Sequence, residues 1–350
     1  MIINIKRNFF TEKEFLLLDN GIMKATAFKY STGVEALKIE NDKGYFIILP
    51  FQGQQIWRLN FSGKELNMQT SFKEPVPTKE YLETYGGFLL HCGINAFGSP
   101  QADDNHPQHG ELPNADYDSA YIEILEDSIA VGGSFTFNKS FVKSYTFSPK
   151  VILKKGESVL KIDVTLKNNR HTPMEYMYLC HINFLPFEGA KLIYTADYNS
   201  GVKVYKSPDA SAELAEYIDR LEKNPSIHNI VDGKTQVYDP ELCLGIEYIG
   251  DENNRAYTLQ CTDDGACFVS HPVDVLPKAI RWISRSVDEQ SMGMVLPATA
   301  EHIGYNHAKR NGQIKELPPY GELNFYIEAG FLEYDDAKCV IAKFNDINRQ

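Results

Sequence analysis

The fold is decided by a run of strict alternation, Leu160-Lys-Ile-Asp-Val-Thr-Leu-Lys167, in which every second residue is apolar. Successive side chains of a β-strand point to opposite faces, so this run predicts a strand with one buried face that ends at Asn168 and Asn169. Gly156 separates it from a second apolar segment, Val151-Ile-Leu153. A glycine turn between two such segments predicts an antiparallel hairpin.

Short apolar or alternating segments recur along most of the chain, and the sequence predicts a strand at each of them. Tyr and Phe, which favour the pleated surface of a sheet, each occur 20 times, against two Trp. Many short strands joined by turns predict an all-β protein built as an antiparallel sandwich or barrel. The further predicted strands are residues 45–49, 135–137, 141–147, 175–184, 244–248, 256–260, 266–270 and 323–327.

Two segments depart from this pattern and predict one or two short helical excursions from the sheets. Residues 207–225 begin with a Ser-Pro cap signal, end at Asn-Pro and place apolar side chains on one helical face. Residues 335–347 show the same helical spacing more weakly. The apolar faces consist of Leu214, Tyr217, Ile218 and Leu221 in the first segment, and of Val340, Ile341 and Phe344 in the second.

The composition predicts one globular domain and a small ligand. The 350 residues contain no Pro/Ser/Gly-rich linker and no internal repeat, so residues 1–350 are predicted to form a single domain. The net charge of −12 and the lack of a basic stripe argue against a nucleic-acid partner. A neutral or weakly charged small molecule fits this charge better, and the sequence leaves the oligomeric state open.

The sequence also predicts a cytoplasmic protein without a membrane partner. Its N-terminus has no sustained apolar run of the kind found in signal peptides, and no segment approaches the roughly 18 apolar residues of a membrane span. The six Cys are scattered without a Cys-x-x-Cys pair. This pattern is typical of free thiols in a reducing compartment.

Several chemistries lack their usual motifs. The chain has no Gly-x-Gly-x-x-Gly turn, no phosphate-binding loop ending in Gly-Lys-Ser/Thr, no Gly-x-Ser-x-Gly and no His-Glu-x-x-His. We therefore expect no cofactor. His106 and His109, with Asp103 and Asp104 nearby, have a spacing that resembles a ligand cluster, but they lie in a Pro- and Gly-rich loop and we expect no metal site.

The clearest sign of chemistry is a pair of histidines about seventy residues apart. His109 lies in the loop His106-Pro-Gln-His109-Gly-Glu111, and His181 lies in the apolar segment Tyr178-Leu-Cys-His181-Ile-Asn183. Imidazole is the side chain whose ordinary pKa suits proton transfer near neutrality. The alternative for His181 is a core histidine whose ring is hydrogen-bonded to the backbone.

Two other residues are weaker candidates for a binding site. Trp282, in Arg281-Trp-Ile283, is a candidate platform for stacking on a sugar, and its alternative is packing in the core. His271, in Val-Ser-His-Pro272, has less to support it.

Four parts of the sequence, taken in order, resemble the galactose mutarotase-like superfamily, in its aldose 1-epimerase-related branch. They extend from residue 85 to about residue 330 and keep the order of the family. Each is short, and their common order with fitting gaps makes the resemblance specific. The segments are Tyr85-Gly-Gly-Phe-Leu-Leu-His-Cys-Gly-Ile-Asn95, His109-Gly110, Cys180-His-Ile-Asn183, and Gly293-Met-Val-Leu-Pro-Ala-Thr-Ala-Glu-His302 followed by Leu317-Pro-Pro-Tyr-Gly-Glu322.

The resemblance implies a large antiparallel β-sandwich, the galactose mutarotase-like supersandwich, with a carbohydrate site in a cleft on one sheet. In aldose mutarotases a glutamate takes the proton of the anomeric hydroxyl while a histidine protonates the ring oxygen, so that the ring opens and then closes on the other face. His181 looks like the ring-oxygen acid, His109 like the sugar-contacting histidine of the His-Gly motif, and Asn95 like the asparagine of an Asn-Arg pair.

Two positions depart from the family pattern. The arginine of the Asn-Arg pair is Ala96 here, and the catalytic glutamate expected near residue 296 is Leu296. Leucine cannot accept a proton, and the loss of a positioned base costs about a hundredfold or more in rate. Glu301 is the nearest substitute along the sequence, and its alternative is an ordinary surface carboxylate.

These observations give three hypotheses. The first is an aldose 1-epimerase or mutarotase-like isomerase in which His109 and His181 act, with Glu301 as the candidate base. The second is a non-catalytic carbohydrate-binding protein on the same fold, which the residues at 96 and 296 favour. The third is an isomerase that reads an acidic or phosphorylated sugar through basic residues. The candidate substrate-binding residues are Asn95, His271, Arg281 and Trp282, with Lys278 added in the third hypothesis.

Overall fold

The computed structural model shows a protein made almost entirely of antiparallel strands. It describes residues 1–198, 201–206, 210–233, 238 and 241–347. In chain order the strands are β1 (Ile2–Ile5), β2 (Phe15–Asp19), β3 (Lys24–Lys29), β4 (Glu35–Asn41), β5 (Gly44–Ile48), β6 (Ile56–Phe61), β7 (Lys64–Glu65), β8 (Leu89–Ile94), β9 (Ser119–Ile124), β10 (Ser128–Lys139), β11 (Lys143–Lys154), β12 (Val159–Asn168), β13 (Met174–Ile182), β14 (Lys191–Tyr194), β15 (Val202–Tyr205), β16 (Leu242–Ile246), β17 (Arg255–Thr262), β18 (Gly265–Pro272), β19 (Lys278–Arg285), β20 (Gln290–Ala298), β21 (Lys315–Leu317) and β22 (Glu322–Glu333).

The strands form two large sheets. The nine-stranded sheet has the order β1-β9-β10-β11-β12-β22-β18-β17-β14. The thirteen-stranded sheet has the order β15-β16-β19-β20-β13-β8-β6-β5-β4-β3-β2, with β21 paired to β13 and β7 paired to β6. This architecture confirms the predicted all-β class and the large antiparallel β-sandwich.

The alternating run that predicted the fold forms the centre of the nine-stranded sheet. Its four apolar side chains, from Leu160 to Leu166, are at most 1% exposed, while the polar residues between them are half-buried or exposed. The predicted hairpin is present, since β12 pairs with β11 in antiparallel register, with Val151 opposite Ile162. The two predicted strands 141–147 and 151–153 merge into one strand, β11, which begins at Lys143, so residues 141 and 142 precede it.

The core lies between the two sheets. The largest hydrophobic cluster contains side chains of both, and aromatic rings bridge them directly. The ring of His91 on β8 lies 5.2 Å from that of Phe147 on β11, and the ring of Tyr178 on β13 lies 5.3 Å from that of Phe325 on β22. Face-to-face packing of this kind is the usual way in which sheets bury their apolar faces.

Both predicted helices are present, and the described residues contain a short third α-helix as well. Helix α1 (Ala212–Lys223) is capped by the Ser211 hydroxyl and buries the four apolar side chains that were predicted to face inward. The predicted start of this helix at residues 207–209 lies outside the described residues. Helix α2 (Tyr305–Arg310) was not predicted, and α3 (Tyr334–Ile347) packs on the outer face of the nine-stranded sheet. None of the described helices is long and apolar enough to cross a membrane.

Strands from distant parts of the chain combine in both sheets. β1 pairs with β9, and β12 pairs with β22 although about 160 residues separate their Cα partners. The single domain of residues 1–350 stays a prediction, and this mixing of distant strands supports it.

The buried His91 gives the fold a testable dependence on pH. Its Nδ1 lies 2.8 Å from the Tyr178 hydroxyl, and burial lowers the pKa of the ring from 6.5 to about 3. Below pH 6.5 the unfolded chain binds a proton here that the folded chain does not, so the free energy of unfolding falls as the pH falls. The free energy of unfolding therefore falls between pH 6.5 and 4, and we expect His91→Asn to remove roughly 3 kcal/mol of that fall.

Chemical denaturation of the unsubstituted protein and of His91→Asn at pH 7, 5.5 and 4 measures how steeply the free energy of unfolding depends on pH in each. The matched control is His171→Asn, because His171 is exposed. We expect the control to keep the slope of the unsubstituted protein. Equal slopes for His91→Asn and the unsubstituted protein would contradict the prediction.

Candidate active site

A cavity of about 190 Å³ lies on the thirteen-stranded sheet. His181 of β13, Trp282 of β19 and Leu296 of β20 form its floor, and loops carrying His109 and His302 surround it. We call this cavity the histidine pocket. It lies on the face of the sheet that points away from the core, because side chains alternate along a strand and Tyr178, three residues before His181, points toward the other sheet.

The tautomer of His181 follows from its hydrogen bonds. Asn183 donates from Nδ2 to the Gly87 carbonyl at 3.0 Å, which leaves its Oδ1 facing the imidazole. The His181 Nδ1 lies 2.8 Å from that oxygen and must therefore carry a proton, while the Tyr85 hydroxyl donates to the same oxygen at 3.1 Å. The Tyr85 hydroxyl also lies 3.5 Å from Nε2, but its proton goes to Asn183, so the lone pair of Nε2 remains able to exchange a proton.

Burial also sets the charge of His181. The residue is 3% exposed, and desolvation lowers the pKa of its imidazole from 6.5 to about 4, although the hydrogen bond to Asn183 opposes this change. At neutral pH the ring is uncharged. The His181 ring is therefore hydrogen-bonded to a side chain and lines a cavity. A core histidine would instead be hydrogen-bonded to the backbone and would line no cavity.

The structure brings His109 and His181 together, with ring centroids 5.3 Å apart. A tight loop positions His109, whose φ of 57° is followed by a φ of 82° at Gly110. A Cβ on Gly110 would lie 2.2 Å from the Ala96 carbonyl oxygen, so the loop needs glycine there. Desolvation, with the nearby histidines including His181 and His302, keeps the pKa of His109 well below its ordinary value.

Glu111 fixes the same loop to the end of β8. Its Oε1 accepts hydrogen bonds from the backbone N–H groups of Ile94 at 3.1 Å and Asn95 at 3.0 Å, and from the Tyr145 hydroxyl. Burial raises the pKa of the Glu111 carboxyl, against the effect of these hydrogen bonds. This carboxylate therefore holds the loop that presents His109.

Aromatic rings form one wall of the pocket. The Trp282 ring lies 5.3 Å from the His181 ring and 5.9 Å from the Tyr85 ring, each at a steep angle. Tyr81 packs on His109 with ring centroids 4.7 Å apart. Such a wall suits a sugar, whose C–H faces pack on aromatic rings while its hydroxyls find polar groups elsewhere.

Two carboxylates reach the histidine pocket. Glu241 accepts a hydrogen bond from the Trp282 Nε1 at 2.6 Å, and Glu289 accepts one from the Ser71 hydroxyl at 2.8 Å. No Lys or Arg is among the described residues that line this pocket. Nor do the described residues contain a group of three or more His, Cys, Asp or Glu placed to hold a metal ion.

The predicted catalytic Glu301 lies outside the pocket. Its carboxylate is bonded to the Lys203 Nζ and the Tyr205 hydroxyl, each at 2.5 Å, and to the His307 Nε2 at 2.8 Å. These hydrogen bonds hold its pKa well below the ordinary value, although burial opposes them. A carboxylate so committed is a weak base, and Leu296 occupies the pocket instead.

Three of the predicted substrate-binding residues also lie elsewhere. Arg281 is fully buried and donates to the Met294 carbonyl at 3.0 Å and to the His228 Nδ1 at 2.7 Å. It precedes Trp282 in β19 and so points to the opposite face of the sheet. His271 is fully buried on β18, and Asn95 lines a separate groove. Of the four, Trp282 alone lines the histidine pocket.

Sequence reasoning missed several pocket residues. Tyr85 and His302 line the pocket and belong to the segments that resemble the family, but neither was predicted to be a site residue. Glu241 carried no local signal at all. It reaches the pocket because β16 pairs with β19, with Cys243 opposite Trp282.

Comparisons with known proteins agree with the architecture. A candidate aldose 1-epimerase from Klebsiella pneumoniae has a TM-score of 0.83 at 16% identity, over 96% of this chain and 91% of that one. A galactose mutarotase-like protein from Clostridium acetobutylicum has a TM-score of 0.62 at 14% identity, over 90% of this chain and 100% of that one. A galactose 1-epimerase from Lactobacillus acidophilus has a TM-score of 0.54 at 12% identity, over 92% of this chain and 98% of that one.

At these identities the likeness shows the fold, and it confirms the predicted galactose mutarotase-like architecture. None of the curated proteins matches the sequence. One family model does, over residues 31–330, and it is described as a domain of unknown function, DUF4432. This match spans most of the chain, and the protein belongs to the DUF4432 family.

Proposed function

We propose that the protein is an aldose 1-epimerase-like isomerase that binds a carbohydrate in the histidine pocket. The observation that carries the proposal is the state of His181, a buried imidazole that lines the pocket, with its tautomer set by Asn183 so that Nε2 carries the lone pair. The galactose 1-epimerase of the same fold suggests the reaction class. The residues of this chain supply the remaining support.

Orphaned polar atoms favour a ligand with many hydroxyls. The Nδ1 atoms of His109 and His302 and the hydroxyl of Ser291 are buried without a hydrogen-bond partner among the described residues, and all three side chains line the pocket. Buried polar groups in proteins normally have partners. A sugar that enters the pocket offers several hydroxyls that both donate and accept.

The charge of the pocket favours a neutral sugar over an acidic or phosphorylated one. Glu241 and Glu289 are the charged side chains among its described lining residues, and both are negative. The histidines are neutral at pH 7, since the pKa of both His181 and His302 is lowered to about 4 by burial. A phosphate would meet two carboxylates and no cation, which costs free energy.

The proposed chemistry is opening and closing of the sugar ring. A protonated His181 gives its Nε2 proton to the ring oxygen while a carboxylate takes the proton of the anomeric hydroxyl, and the bond between C1 and the ring oxygen breaks. Rotation about the C1–C2 bond and reversal of both transfers close the ring on the other face. His109 lines the pocket beside the sugar.

A second candidate function is sugar binding without turnover. Leu296 favours it, since this side chain lines the pocket where the resemblance places a catalytic glutamate. The two candidates share a ligand and differ in whether the bound sugar reacts.

We also propose a cytoplasmic location. All six cysteines are unpaired, and four of them are buried in the sheets. Free thiols are typical of a reducing compartment.

Anomer interconversion tests the proposal. We expect the protein to speed the interconversion of at least one neutral aldose, followed by NMR after dissolving a single anomer. His181→Asn should lower kcat by about a hundredfold or more, because a positioned acid is lost, while KM changes little. The exposed His171→Asn is the control and should keep full activity. If a sugar binds the unsubstituted protein but its anomers do not interconvert faster, the isomerase function is wrong and the binding function replaces it.

The lowered pKa of His181 predicts how the rate depends on pH. With a pKa of about 4, the acid form of the ring is scarce at pH 7, and its fraction rises about tenfold for each unit that the pH falls. We expect kcat/KM to rise between pH 7.5 and 5.5, after subtraction of the buffer-catalysed rate. Circular dichroism at each pH verifies that the protein stays folded. A kcat/KM that falls as the pH is lowered over this range would indicate that His181 acts as a base instead of an acid.

A further inference from the structure

We propose that Glu241 is the catalytic base, which takes the proton of the anomeric hydroxyl in place of the glutamate that Leu296 replaces. This inference rests on the isomerase function proposed above. It concerns a residue that no motif marked, and it fills the gap left opposite His181.

The backbone brings Glu241 to the rim of the pocket. It directly precedes β16, whose Cys243 lies opposite Trp282 of β19 in the antiparallel ladder. The Glu241 side chain lines the pocket, and its Oε2 accepts the hydrogen bond from the Trp282 indole N–H at 2.6 Å. The same indole packs against His181, with ring centroids 5.3 Å apart. One aromatic side chain thus lies between the proposed base and the proposed acid.

The negative charge of Glu241 acts on two tyrosines of the aromatic wall. Burial raises the pKa of both Tyr81 and Tyr85 well above the ordinary value, and the negative charge of Glu241 adds to the rise. These two tyrosines contact His109 and His181, respectively. The carboxylate therefore lies within electrostatic range of the two tyrosines that flank the histidines.

The free oxygen of Glu241 is suited to accept a proton. Among the described residues, Trp282 is its hydrogen-bond partner, at Oε2, and Oε1 has none. No described cation lies within ion-pair distance of the carboxylate. The indole N–H therefore orients the group without neutralising it, in contrast to the ion pairs that occupy Glu301.

The other carboxylate of the pocket fits this role less well. Glu289 accepts the Ser71 hydroxyl at 2.8 Å, and its backbone N–H is bonded to the Ser286 hydroxyl. None of these hydrogen bonds joins Glu289 to Trp282 or His181, whereas Glu241 is bonded to Trp282, and we assign the base to Glu241.

The proton transfers balance with this assignment. Glu241 takes the hydroxyl proton, the electron pair of that O–H bond forms the C1 carbonyl, and the pair of the broken C1–O bond takes the proton from the His181 Nε2. The open aldehyde then lies beside a protonated Glu241 and a neutral His181. Ring closure returns both protons, so the enzyme ends each turnover in its starting state.

Substitution in the full-length protein tests the assignment. We expect Glu241→Gln, which keeps the shape and removes the base, to lower kcat about a hundredfold or more for a neutral aldose while KM stays within a fewfold. Glu247→Gln is the matched control, because Glu247 is an exposed carboxylate just past the other end of β16. It should keep full activity. Glu241→Ala should recover part of its lost rate when formate is added, a rescue that a structural role does not produce.

The outcomes separate this inference from the proposed function. Turnover in the unsubstituted protein that survives in Glu241→Gln overturns the base assignment alone, and so does a loss confined to Glu289→Gln. The absence of formate rescue in a folded, sugar-binding Glu241→Ala also overturns it. No turnover by the unsubstituted protein overturns the isomerase and the base together.

Discussion

The hydrogen bond between His181 and Asn183 is the interaction on which the site depends. The two residues are two positions apart near the end of β13, so the strand's alternation places both side chains on the same face. The bond of Asn183 to Gly87 orients the amide, the amide orients the imidazole, and Nε2 is presented to the pocket. A single shift of register in β13 would turn this group into the core.

The same alternation places other charged and titratable side chains on the core side of the sheet, away from the pocket. Arg281 points inward while Trp282 points into the pocket, and the buried guanidinium lies over the Tyr194 ring at 4.4 Å. It donates to the His228 Nδ1, which must accept and so cannot be protonated. Burial and the charge of Arg281 keep the pKa of His228 well below its ordinary value. The core therefore tolerates a cation by keeping its neighbouring histidine neutral.

Local patterns were enough to predict the strands that are buried on one face, and β12 is the clearest case. They were not enough for β8 and β20, where nearly every residue is buried and alternation disappears. Within the site, His109, His181 and Trp282 could be found from motifs and residue type. The inward direction of the Arg281 side chain follows from alternation once Trp282 is placed in the pocket. The proximity of Glu241 to the pocket depends on the β16–β19 pairing, which no local sequence pattern predicts.

The exchange of a glutamate for Leu296 changes more than one side chain. A base on β20 would lie within the sheet, held by the backbone of a strand buried along nearly its whole length. Glu241 directly precedes β16 and is exposed, so the β16–β19 ladder places its backbone while the Trp282 indole orients its carboxylate. In the proposed mechanism Trp282 has two tasks, since the ring that would pack beside the sugar also orients the Glu241 carboxylate. Under that proposal binding and proton transfer are coupled through one indole, and a ligand that displaces the ring also displaces the base.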